Sequence, residues 1–274
     1  VLGILVFSTL LLFFYPTTYS NTDLLLAARA VRNGDFGHLL VGTRPLLLFL
    51  SAYLPLDPGL TLAIISSLSY LLAVYLTYKL SSILQSYREG LAASFVVATN
   101  HAVILNAASP NADVPAMASN MLIWYLFVKA IILHDTLARR EITVLGIIAG
   151  FFSLIRETLL ATALGIVVYL FKGSMKRALF FLAIFSLVPL SWQIISLYLF
   201  GFNYLAQLRT GIGLSLGYSG VPYNPVKVLG YLVDGLTPLL MLTSVLGFLF
   251  EENLAKLKLL TSLGAPSLAL SVLW

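Results

Sequence analysis

Long apolar runs separated by short polar breaks dominate the chain. About nine of them can be marked, at 1–15, 59–80, 91–108, 114–133, 142–155, 158–171, 178–200, 227–250 and 259–274. At about 1.5 Å of rise per residue, the longer runs suit an α-helix that crosses a hydrocarbon core of about 30 Å. A transmembrane β-barrel would instead show short alternating segments. A further apolar stretch, 45–54, is too short to span. It ends in Pro55 and Pro58 and is expected to dip into the interface or lie on it. The runs 142–155 and 158–171 are separated by Arg156 and Glu157, which predicts two helices meeting at a polar break near one membrane face.

Composition narrows the class. Of 274 residues, 59% are hydrophobic and 10% charged, with a mean hydropathy of +0.97. A soluble domain carries about 25% charged residues. So few charges cannot cover a soluble surface, which excludes a soluble enzyme, a disordered chain and an ordinary nucleic-acid binder. Cysteine is absent, so no disulfide frames the loops. The chain starts at Val1, and its last apolar run stops at Trp274 without a flanking charge; the reading expects a single transmembrane domain, 1–274, taken from a longer protein.

The net charge of +5 then speaks of orientation, not of nucleic acid. With the first long loop outside, Lys79, Arg88, Lys129, Arg139, Arg140, Lys172, Lys176, Arg177, Lys256 and Lys258 all fall on the cytoplasmic side, close to helix ends. Arg29, Arg32, Arg44, Arg156, Arg209 and Lys227 fall on the other. The expected topology has a cytoplasmic amino terminus in a cell membrane, with loops 16–58 and 201–226 extracytoplasmic. Binding and chemistry tend to sit on loops held by a rigid scaffold, so the candidate site lies on that face.

Four places there could carry chemistry. In the first loop, Ser20 to Asp23 has the spacing of a capping box and predicts a helix of about three turns, ending near Asn33-Gly34. Leu24, Leu25, Ala28 and Val31 share one face, as in an amphipathic helix lying along the membrane surface. Asp23 is either the cap of that helix or a base facing a cavity; Arg29 and Arg32 read as interfacial anchors. In SPNADVPAM, Asp113 is either a cap before Pro115 or a second carboxylate facing the same cavity. In GFFSLIRETLL, Arg156 and Glu157 interrupt an apolar run, which is costly unless each charge is paired or solvated. Adjacent helical residues point in different directions, so each is expected to have its own partner. A guanidinium stays charged and offers a planar fork, which suits a phosphate. Finally, the glycine- and tyrosine-rich loop 201–226 holds Arg209, Tyr218 and Tyr223, either an interfacial aromatic belt or a lid. His38, His101 and His134 lack metal-ligand spacing, and His101 reads as a satisfied polar group within the bundle.

The order of these elements resembles a known family. SNTDLLLAARAVRNGDF, TRPLL, NADVPAMASNMLIWYLF and GFFSLIRETLL follow one another as do the corresponding elements of the class C integral-membrane glycosyltransferases. The branch containing protein mannosyltransferases and lipid A aminoarabinose transferases is the most similar. The WWDYG-type motif of oligosaccharyltransferase catalytic subunits is absent, and Leu24 follows Asp23 where protein mannosyltransferases have an acid pair. The resemblance implies an all-α polytopic membrane fold, a GT-C-like bundle of about nine membrane helices with an external amphipathic surface helix. It also implies inverting glycosyl transfer from a polyprenyl-phosphate sugar to a lipid, glycan or protein acceptor. Asp23 would be the base, Arg156 and Arg44 would bind the donor phosphate, and Asp113 and Glu157 would orient the acceptor or hold those arginines. A divalent metal could assist the departing phosphate, though no ligand cluster is visible in the sequence. Membrane lipids are the other expected partners.

Two other classes compete. A transporter or flippase would use the intramembrane charges as a path, but would show polar residues at corresponding positions of two halves. A non-catalytic membrane subunit would use the surface helix for docking. Convergence of Asp23, Asp113 and Arg156 in one external cavity would favour the enzyme; dispersal would favour the other two.

Overall fold

A computed structural model describes residues 1–14, 22–36, 44–134, 137–156, 159–201 and 203–206. These are 86% helical, with no strand among them. The helices are α1 (Leu2–Phe14), α2 (Thr22–Arg32), α3 (Pro45–Tyr53), α4 (Pro58–Leu84), α5 (Tyr87–Thr99), α6 (His101–Ala107), α7 (Asp113–His134), α8 (Arg139–Ser153), α9 (Leu159–Gly173) and α10 (Met175–Phe200). Helices α4, α7 and α10 are long and apolar enough to cross a membrane. The chain is an integral membrane protein. The predicted spans 227–250 and 259–274, and the lid residues Arg209, Tyr218 and Tyr223, lie outside the described residues.

Local chemistry sets the boundaries. Asp57 caps α4, accepting hydrogen bonds from the backbone of Gly59 (2.8 Å) and Leu60 (3.3 Å), with Pro58 in the first turn. Helix α2 ends where expected. Gly34 takes a positive φ of 80°, and the Asp35 N–H donates to the Ala30 carbonyl at 2.9 Å. The single expected span 91–108 is two helices. Asn100 turns out of α5 and caps α6, its Oδ1 accepting from Val103 N at 3.1 Å. Hydroxyls of α4 satisfy backbone groups along this broken stretch. Tyr70 donates to Ala98 O (2.6 Å), Ser67 to Ala107 O (3.2 Å) and Ser66 to Asn111 O (2.9 Å).

These contacts fix the helix directions. Tyr78 meets Tyr87 and Tyr70 meets Ala98, so α5 runs antiparallel to α4. Helix α7 starts beside Ser66, near the beginning of α4. A long α4–α7 interface then requires the two to run parallel. Helices α8 and α10 are also parallel: Arg139 lies over Phe180, Gly146 faces Ile184 and Gly150 faces Phe185 and Val188. The Gly146–Gly150 spacing is the small-residue pattern that lets two backbones approach closely. A Cβ on Gly150 would sit 2.6 Å from the Phe185 carbonyl oxygen.

Two expectations are corrected by packing. The apolar face of α2 is not spread on a membrane surface. Leu24, Ala27, Ala28 and Val31 are buried in the main core with Leu47 and Leu48 of α3, Ala116 and Phe127 of α7, and Phe181 of α10. The stretch 45–54 is likewise a core helix rather than an interfacial segment, with Leu47, Leu48, Ser51 and Ala52 buried. Arg32 is engaged by the protein itself. Its guanidinium donates to the carbonyls of Ala52 (2.8 Å), Leu54 and Leu56, closing the carboxyl end of α3. Arg29 pairs with Asp57 at 3.7 Å, both half-exposed.

Candidate functional site

Arg156 sits where α8 has ended and α9 has not begun. Leu154 and Ile155 form a turn, and Leu159 N donates to Arg156 O at 3.2 Å. The break points the guanidinium at the first residue of α7. Arg156 and Asp113 form an ion pair, with side chains 22% and 45% exposed. The sequence reading expected separate partners for Arg156 and Glu157, and Asp113 is the partner of Arg156; Glu157 lies outside the described residues.

Asp113 is itself held. Its N–H donates to Asn111 Oδ1 at 2.7 Å, and the Asn111 amide donates to Asn106 Oδ1. Asn111 is buried, and its N–H donates to Ser66 Oγ at 3.2 Å. Turn, helix start and α4 are thus one hydrogen-bonded unit beneath the carboxylate. Asp113 is the first residue of α7, where a negative charge is favoured, and its carboxylate reaches Arg156.

A backbone bond from Leu46 N to Leu154 O (3.1 Å) ties the start of α3 to the end of α8. Arg44 stands two residues before the first of these and Arg156 two residues after the second. The start of α3 and the end of α8 thus meet at this point, and Arg44 is partly buried. Asp23 is exposed in the first turn of α2. Among the described residues no hydrogen bond or ion pair joins Asp23 to Asp113, Arg156 or Arg44. The structure brings Arg156, Asp113 and the Arg44 segment together and leaves Asp23 outside that contact.

A second polar tie lies deeper. Thr162 Oγ1 of α9 bonds Asn120 Oδ1 of α7. Asn120 follows Asp113 by two turns on one face, so the pairs form a polar seam between α7 and the α8–α9 break. Neither Asn120 nor Thr162 was singled out by the sequence reading, although the seven-residue spacing from Asp113 could have found Asn120. Asp57 was missed too, and its place before Pro58 was the available signal.

The seam and the basic residues occupy opposite ends of the bundle. Lys79, Arg88, Lys129, Arg139, Arg140, Lys172, Lys176 and Arg177 stand at the carboxyl ends of α4, α7 and α9 and the amino ends of α5, α8 and α10, which the helix directions gather at one end. Among the described residues, no group of three or more His, Asp or Glu side chains is arranged to hold a metal ion. No protein-family model, curated protein or solved structure matches the chain.

Proposed function

We propose that the chain is a membrane glycosyltransferase that moves a sugar from a polyprenyl-phosphate donor to a lipid, glycan or protein acceptor, on a GT-C-like bundle. The observation that carries this reading is the Asp113–Arg156 pair at a helix break, beside the Arg44 segment and away from the basic end of the bundle. By the positive-inside rule the pair's end is extracytoplasmic, where a lipid-linked donor is usable without a nucleotide.

In this reading Arg156 binds the donor phosphate, and Arg44 adds a second positive charge. A guanidinium has five donors in a planar fork, so it can serve Asp113 and a phosphate together. Asp113 is then a positioning residue that holds the fork. The acceptor oxygen bonds to the anomeric carbon as the bond from that carbon to the phosphate oxygen breaks. The electron pair leaves with the polyprenyl phosphate, and the acceptor proton passes to a carboxylate. Asp23, which among the described residues has no hydrogen bond or ion pair with Asp113 or Arg156, serves as the base in this scheme only through an acceptor that bridges it to the pair. What supports it is accessibility on a rigid mount, since the rest of α2 is anchored by buried Leu24, Ala28 and Val31. Glu157, or the loop with Arg209, Tyr218 and Tyr223, would complete the acceptor side.

The test is binding of a short-chain polyprenyl-phosphate hexose to the protein in nanodiscs. Arg156→Leu should weaken binding roughly ten- to a hundred-fold, the value of a charge-assisted contact of about 1.5–3 kcal/mol. Arg156→Lys should recover part of it. A folded Leu variant with unchanged binding would leave the pair as a structural clamp and favour a non-catalytic subunit.

A further inference from the structure

At the basic end, between the last turns of α7 and the first turns of α8, lies a cavity of about 340 Å³. Leu126, Ala130, Val144 and Leu145 form its apolar walls; Lys129, Arg140 and Glu141 stand at its rim. Lys129 and Arg140 are both exposed. Glu141 is turned toward the helix start, where its carboxylate accepts from Ala138 N at 2.8 Å. The rim therefore offers two cations above an apolar slot.

Beyond the cavity, α8 presents an exposed apolar stripe. Arg140, Val144, Ile147 and Phe151 recur at helical spacing on one face of α8, and the three apolar members are 46%, 49% and 48% exposed. From Arg140 to Phe151 this stripe runs about 16 Å, half of a hydrocarbon core of about 30 Å. A cationic head site joined to a one-leaflet apolar stripe has the dimensions of a single lipid.

We propose that this cavity is a binding site for an anionic glycerophospholipid. Its phosphate lies between Lys129 and Arg140, and an acyl chain follows Val144, Ile147 and Phe151. The site is independent of the glycosyl-transfer reading, being at the other end of the bundle. Its effect is to join α7 and α8 at a point where the chain between them is short.

The experiment is native mass spectrometry of the full chain released from micelles containing equal amounts of phosphatidylglycerol and phosphatidylcholine with identical acyl chains. Wild type should retain the anionic lipid in preference, by roughly thirty-fold for two cations near the bilayer surface. Lys129→Gln with Arg140→Gln should abolish the preference while leaving phosphatidylcholine adducts unchanged. Ala130→Phe fills the slot without altering charge and should also displace the lipid. Lys176→Gln with Arg177→Gln, at the same end but outside the cavity, should change nothing. Equal retention of both lipids, an equal loss in the Lys176/Arg177 variant, or competition by inorganic phosphate alone would each overturn the proposal.

Discussion

Replacing Asp113 by Asn and Arg156 by Gln, singly and together, measures what the pair contributes. Exposed ion pairs are worth about 0.2–1 kcal/mol, whereas removing one partner of a fully buried pair costs about 3–5 kcal/mol. With 22% and 45% of the two side chains exposed, the pair lies between these limits, and screening at the Asp113 side pulls it toward the lower one. Each single change should cost about 1.5–2.5 kcal/mol, and the coupling between them should be about 1–2 kcal/mol. Asp113 also favours the amino end of α7 by about 0.3–1 kcal/mol, but that contribution is lost whether or not Arg156 is present and cancels from the cycle. Thermal unfolding in detergent, followed by the fluorescence of the chain's three tryptophans, is the assay. At about 2–4 °C per kcal/mol for a chain of this size, the coupling should appear as a non-additivity of several degrees in Tm. Effects that add to within about 0.5 kcal/mol would refute the pairing, because two residues in contact must couple. A coupling that survives high salt undiminished would refute the screening argument.

Gly150→Ala should destabilise by about 1–3 kcal/mol, because the new methyl meets the Phe185 carbonyl, which is backbone and cannot swing away. Gly173→Ala, with open space at its Cβ, is the control in the same unfolding measurement. For topology, single cysteines at Asn33 and Arg140, both exposed, should label from opposite sides of the membrane in intact cells, Asn33 from outside; labelling of both from one side would overturn the orientation. In reconstituted protein supplied with donor and acceptor, Asp23→Asn should keep Tm within about 1 kcal/mol equivalent, since a carboxylate in the first turn of a helix contributes about 0.3–1 kcal/mol, yet lose about 10²–10⁴-fold in turnover if Asp23 is the base.

Much of this molecule was legible one residue type at a time. Apolar run length marked the helices α4, α7 and α10 as spanning, since crossing a hydrocarbon core is a local demand on some twenty consecutive residues. The end of α2 at Asn33-Gly34 and the break at Arg156 were equally legible, because a left-handed glycine and an intramembrane charge act where they stand. The amphipathicity of α2 was legible as well, but not what its apolar face meets. A lipid tail and the side chains of α3 and α7 are alike to Leu24 and Val31, so only packing could choose the protein core over the membrane surface. The split at Asn100 was not legible although Thr99, Asn100 and His101 interrupt the run 91–108, because polar side chains can also be satisfied inside an unbroken helix of a bundle. Tyr70 of α4 takes up the Ala98 carbonyl beside the break, and Asn100 caps the helix that follows. The partner of Arg156 was the decision of tertiary structure above all. Asp113 is more than forty positions away in sequence, and nothing short of the parallel course of α4 and α7, with the tie of α3 to the end of α8, brings that carboxylate, and the segment bearing Arg44, to the same break.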